Sequence, residues 1–227
     1  MSKKQIEIFA PIMAVLTALI IGGIIIQLNG VNPFAAYGQL FKSAFYQANP
    51  KAPFMSGLAK TLLTATPMIF AGLAVMMAFK AGLFNIGGQG QMIMGGLAAA
   101  VVGIYVKNVL FGNFVVAIIA AGIAGFLWAS IAGILKAKFR IHEVISTIML
   151  NYIAINLQNY LLNYPIKDPA SQNVQTMKVW EPARLFLLAP GTKQKLNFGF
   201  ILAIIAVIIV WYFFNKTKQG YEMTAVG

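Results

Sequence analysis

The chain has no cysteine and a single histidine, His142. The first absence excludes disulfides and thiolate metal sites, though it says nothing about redox compartment. The second excludes a multi-histidine metal site, so no metal and no other cofactor is expected. Acids are scarce too: Glu7, Glu143, Asp168, Glu181 and Glu222 are the only five in 227 residues. None falls in the middle of an apolar run, which leaves no proton relay of the kind a proton-driven carrier holds at depth. Catalytic patterns are also missing. There is no HExxH and no Walker A lysine motif, and the loose GxG spacings among Gly87, Gly88, Gly90, Gly95 and Gly96 follow no strand. A nucleophile would lack a base in reach, because His142 lies between Arg140 and Glu143 at the end of an apolar run. No internal repeat or low-complexity tract stands out. An enzyme is not expected, and no catalytic residue is assigned.

What is present is apolar surface. Hydrophobic residues make up 59% of the chain, charged residues only 10%, and the mean hydropathy is +0.78, a composition foreign to soluble globules. About 20 helical residues cross the ~30 Å hydrocarbon layer, and several runs are long enough. The expected fold is all-α: a polytopic membrane helical bundle with spans at 6–28, 58–79, 90–106, 113–135, 143–163 and 198–214. The opening "MSKKQIEIFAPIMAVLTALIIGGIIIQL" starts basic like a signal peptide. Its apolar run is too long and lacks a small-x-small cleavage site, so it is expected to be a retained span. The net charge of +12 is spread between apolar runs rather than gathered on one face, which excludes nucleic acid as a partner and suits anionic lipid headgroups of a bilayer. With the N-terminus cytoplasmic, Lys3, Lys4, Lys80, Lys136, Lys138, Arg140, Lys216 and Lys218 share one side, as the positive-inside rule requires. The outer connections, 29–57 and 164–197, are long. In the first, the aromatics of "NPFAAYGQLFKSAFYQANP" recur at helical spacing and predict a short interfacial helix. In the second, Trp180 could anchor at headgroup level.

Two polar stretches interrupt this pattern. "GLFNIGGQGQMIMGG", residues 82–96, predicts a helix break over 82–91 centred on Gly87, Gly88 and Gly90 and carrying Asn85, Gln89 and Gln91. Irregular backbone at membrane depth is tolerated only where protein or a wet cavity satisfies its amides. Two explanations stay open: half-helix ends facing a transport site, or a tight cytoplasmic turn closed by small residues. The second stretch is "EVISTIMLNYIAINLQNYLL". At 100° per residue, Glu143, Thr147, Asn151, Ala154 and Gln158 form one stripe, while Tyr152, Asn156, Asn159 and Asn163 form a second face in the outer half. Facing lipid would be costly, so both should face protein or water. The first stripe then lines a substrate pathway through Thr147, Asn151 and Gln158, or it makes interhelical hydrogen bonds of roughly 0.6 kcal/mol each. Ala121, Gly125, Ala129 and Gly133 give a smooth packing face, and Pro67 should kink its helix, with Thr64 and Thr66 near the freed backbone groups.

The blocks "TPMIFAGLAVMMAFKAGLFNIGGQGQMIMGG" and "HEVISTIMLNYIA" carry a resemblance. They are similar to the permease subunit of bacterial ABC importers in the branched-chain amino acid and sugar permease family, most of all its nucleoside and simple-sugar branch. The resemblance implies a multi-pass protein of the bacterial cell membrane that pairs with a second permease subunit. It also implies partners: ABC ATPase subunits on the cytoplasmic side and an extracytoplasmic substrate-binding lipoprotein or periplasmic protein. Thr147, Asn151 and Gln158 would line the path, with the Asn85 to Gln91 break as gate or contact region. There are two departures. Many relatives carry Glu where this chain has Gln89. Relatives also continue for several spans beyond "NKTKQGYEMTAVG", so residues 1–227 are expected to be one permease domain forming the N-terminal part of a longer family domain. Such a fragment, without a coupling helix, is not expected to transport alone. The competing classes are an ion-coupled secondary transporter of a small polar solute and a non-transporting scaffold.

Overall fold

A computed structural model describes residues 3–45, 56–107, 112–188 and 196–227. Its helices are α1 (Lys3–Leu28), α2 (Pro33–Phe45), α3 (Ser56–Lys80), α4 (Gly88–Tyr105), α5 (Asn113–Phe139), α6 (Glu143–Asn163), α7 (Gly199–Lys216) and α8 (Lys218–Val226). Each expected span coincides with a helix: α1 and α3 to α7. By length and apolar composition, α3, α5 and α7 are able to cross a membrane, and the bent pair Ile12–Leu28 and Pro33–Phe45 counts as a fourth candidate. Helices α4 and α6 fall outside that criterion because the glutamines of α4 and the amides of α6 dilute their apolar character. The chain is a multi-pass helical membrane protein.

The chain divides into two compact units, residues 1–62 with 189–195, and residues 63–188 with 196–227. In the first, α1 ends on Gly30, whose φ of 77° is readily adopted only without a Cβ. The Gly30 amide bonds to Gln27 O at 2.9 Å and the Val31 amide to Ile26 O at 3.3 Å, which closes the last turn as a Schellman motif. The chain then turns by 114° into α2. Asn32 caps that helix, accepting from the Phe34 amide at 2.9 Å, and Pro33 supplies a first-turn residue with no N–H to satisfy. The short helix predicted between 29 and 57 is therefore present. It buries no residue, but Tyr37 reaches back to donate to Leu19 O at 2.7 Å.

In the second unit α4 packs against both α5 and α6. Small residues permit this: a Cβ on Gly95 would lie 3.0 Å from Ala121 O, and one on Gly125 would lie 3.5 Å from Gln91 O. Half of the expected small-residue face on α5 therefore packs on α4. Helix α3 continues helical through Pro67. Helices α5 and α6 form a hairpin whose corner is Arg140 in the left-handed conformation (φ 54°), followed by His142, whose Nδ1 accepts from the Val144 amide at 3.4 Å. The connection after α6 is folded back on the bundle. The Trp180 amide bonds to Gly103 O at 2.9 Å, so Trp180 is half-buried beside α4, and a Cβ on Gly103 would press on Val179. Thr217 ends α7 and begins α8, accepting from the Gly220 amide at 3.1 Å.

Candidate functional site: a broken corner clamped by α6

The interruption between α3 and α4 begins with another glycine-centred motif. Gly82 has φ 66°, its amide bonds to Phe79 O at 3.1 Å, and the Leu83 amide bonds to Ala78 O at 2.9 Å. Residues 83–86 take no regular structure before the turn at Gly87. Asn85 Oδ1 accepts from the Gly87 amide at 2.8 Å and so holds this turn from within. The break spans 81–87, shorter than the predicted 82–91. Gly88 and Gly90 belong to the first turn of α4, a correction with a physical reason: first-turn amides have no helical partner, and here a neighbouring helix supplies one.

That partner is Asn151 on α6. Its Oδ1 accepts from the Gly90 amide at 2.8 Å, and its Nδ2 donates to Ile86 O at 3.0 Å. One buried side-chain amide thus satisfies a donor and an acceptor on either side of the turn. Gly90 is needed for approach rather than flexibility, since a Cβ there would lie 2.9 Å from Asn151 Oδ1, 3.0 Å from Trp128 Nε1 and 3.2 Å from Asn151 Cα. The Trp128 indole N–H is buried at this junction with no hydrogen-bond partner. Sequence reasoning missed Trp128, because one tryptophan in an apolar helix carries no distinguishing signal.

Beside the clamp lies a cavity of about 130 Å³ lined by Asn85, Gln91, Thr147, Lys136 and Glu143 together with the small residues Ala129, Ala132 and Gly133. The other half of the small face on α5 therefore borders space rather than a helix. Thr147 is buried and donates to Glu143 O at 2.7 Å. A Cβ on Gly87 would lie 3.1 Å from Thr147 Cβ, which fixes the turn against α6. Glu143 pairs with Lys136 at 2.5 Å and ties the end of α5 to the start of α6. A lysine in a last turn and a glutamate in a first turn each complement the local helix dipole, and that signal was available in sequence.

The predicted site residues therefore separate. Asn85, Gln91 and Thr147 share the cavity. Asn151 is adjacent, with both ends of its amide committed to backbone. Gln158 is half-buried and outside the cavity lining, and Gln89 is exposed. On α6 the first stripe is the sheltered one: Thr147, Asn151 and Ala154 are buried and Glu143 and Gln158 half-buried. The second face, Tyr152, Asn156, Asn159 and Asn163, is exposed within this chain. There Asn156 donates to Tyr152 O at 2.8 Å and Asn163 to Asn159 O at 2.7 Å, so these amides are satisfied inside their own helix.

A multi-span helical protein in which a helix break is clamped by a distant amide, beside a small cavity where a few amide, hydroxyl and charged groups sit among apolar side chains such as Leu83 and Phe84, has the form of a membrane permease. The family described as "Branched-chain amino acid transport system / permease component" matches residues 57–227, and the chain belongs to that family. Among curated proteins, it is 36% identical to a guanosine ABC transporter permease protein of Bacillus subtilis, covering 100% of this chain and 63% of the relative. It is 34% identical to a glucose ABC transporter permease protein of Haloferax volcanii, covering 96% of this chain and 57% of the relative. It is 30% identical to a nucleoside ABC transporter permease protein of Lactococcus lactis, covering 100% and 62%. The chain thus spans about three fifths of the length of these relatives. No solved structure matches it.

Proposed function

We propose that this chain forms part of the transmembrane permease subunit of an ATP-binding-cassette importer that carries nucleosides inward, with simple sugars the second choice. The observation that carries it is similarity along the whole of this chain to about three fifths of a guanosine permease, supported by a nucleoside permease and a glucose permease among the other relatives. Residues 1–227 would serve one permease domain, the N-terminus cytoplasmic. Separate ABC ATPase subunits would supply the energy, a second permease subunit would complete the conduit, and an extracytoplasmic binding lipoprotein would deliver the substrate.

The chemistry of the cavity agrees with a neutral polyhydroxylated cargo. Asn85, Gln91 and Thr147 offer amides and a hydroxyl, which can bond hydroxyl groups without the tight hold of a charge pair. Gln158 would continue the path along α6, with Asn151 shaping it. At about 130 Å³, the cavity is well below the roughly 300 Å³ at which small-molecule pockets begin. As it stands, the space is too small for a nucleoside.

The test is uptake of radiolabelled guanosine by cells carrying the native operon, with and without this gene. Uptake should be lost with the gene, compete with other nucleosides better than with glucose, and require ATP. Transport that instead follows an imposed proton or sodium gradient without ATP would establish the secondary carrier.

A further inference from the structure

We propose that the Lys136–Glu143 ion pair is the latch that keeps the cavity between α5, α6 and the broken corner closed. Exposure along the cavity wall gives it an outer and an inner end. The Lys136 side chain is 41% exposed and that of Glu143 15%, whereas Thr147, one turn further along α6, is 4% exposed. The pair therefore stands at the outer lip, and the hydroxyl and amide groups lie behind it. It also bridges the last turn of α5 and the first turn of α6, across the short corner that joins them. Across that corner Arg140 already holds a left-handed conformation that a side chain adopts at a cost.

Size makes an opening step necessary. Water occupies about 30 Å³ per molecule in the liquid, so the closed space could accommodate a few waters but no nucleoside. Parting the α5 end from the α6 start widens it, and the ion pair spans that gap. Partial exposure of the pair suits a latch, since a half-solvated pair is weak enough to break and re-form. Small residues, Ala129, Ala132 and Gly133, make the α5 wall smooth, while the larger apolar side chains of the lining, Leu83 and Phe84, come from the broken corner.

The proposal rests on the transport function above, so its test reads the opening directly. Residues 1–227 hold no cysteine, so Thr147→Cys, made in the full-length protein with every cysteine outside those residues changed to serine, places one thiol behind the latch. Its rate of reaction with N-ethylmaleimide in native membranes measures access. Glu143→Gln should raise that rate about fivefold, and Lys136→Glu, which sets two carboxylates face to face, more than tenfold. The exchange Lys136→Glu with Glu143→Lys should bring it back within about threefold of the parent. An unchanged rate in the single variants overturns the latch, as does an exchange that reacts as fast as Lys136→Glu alone. Should Lys136→Glu fail to accumulate in the membrane, Lys136→Gln against Glu143→Gln decides in its place, equal rises supporting the latch and no rise in either refuting it. A parent that shows latched labelling yet carries no nucleoside leaves the latch standing and removes the transport function.

Discussion

The α1–α2 and α3–α4 corners are solved in opposite ways. Both begin alike, with a helix ended by a left-handed glycine, Gly30 after α1 and Gly82 after α3, in the same Schellman bonding. The first then closes with what lies next to it. Asn32 caps α2, Pro33 begins it, and α2 buries nothing. The second cannot close by itself. Its turn is held at Ile86 and Gly90 by Asn151, which is 65 and 61 residues away, and α4 buries Gly88, Gly90, Gly95, Leu97, Gly103 and Ile104. A corner capped by its neighbours can stand alone, whereas a corner held by another helix reports that helix's position. Such a dependence is what a gate would need.

The sharpest way to break this comparison is Asn151→Leu. It leaves the buried Gly90 amide without a partner, which costs about 1–3 kcal/mol, and frees the Ile86 carbonyl, which is exposed enough to meet water and costs less, so a loss of roughly 1–4 kcal/mol is expected. Thermal unfolding in detergent measures the loss, and uptake by the full-length protein should vanish with it. Asn32→Ala at the other corner should cost only about 1 kcal/mol, as cap removals do. If the two variants lose equal stability, the distinction between the corners is gone.

Gly90→Ala comes next. The new methyl meets Asn151 and Trp128 within 3.2 Å, and overpacking of this kind costs about 1–3 kcal/mol. Gly88→Ala, two residues earlier, meets nothing within 4 Å. It should be neutral or stabilise by up to about 1 kcal/mol through helix propensity, and melting curves of the two variants should move apart. Gly30→Ala, which also meets nothing but sits at φ 77°, isolates the conformational term at about 1–2 kcal/mol. Tyr37→Phe removes one exposed bond to Leu19 O and should lose no more than about 0.5–1.5 kcal/mol.

Much of the fold was legible in the sequence. Every predicted span fell on a helix, the short helix after Asn32 was found where aromatic spacing put it, and the first α6 stripe is the sheltered face. These features depend on local periodicity and on capping residues adjacent in the chain. The site was legible only in part. Asn85, Gln91 and Thr147 came together, but the break ran shorter than composition suggested, because a glycine that allows a helix to approach looks the same in sequence as one that allows a turn. Trp128 and the partner of Glu143 came into view only with the packing.

By itself the sequence determined that this is a polytopic helical protein, roughly where its spans lie, and which polar residues share one face of α6. Apolar run length, glycine turns and caps act over a few residues, so they can be read in order. Only the tertiary structure decided that Asn151 grips the α3–α4 corner rather than standing free in a conduit, and that Lys136 closes on Glu143 across the α5–α6 hairpin. Buried amides and charges take whichever partner the packing brings within about 3 Å, and no local pattern specifies a partner across the fold.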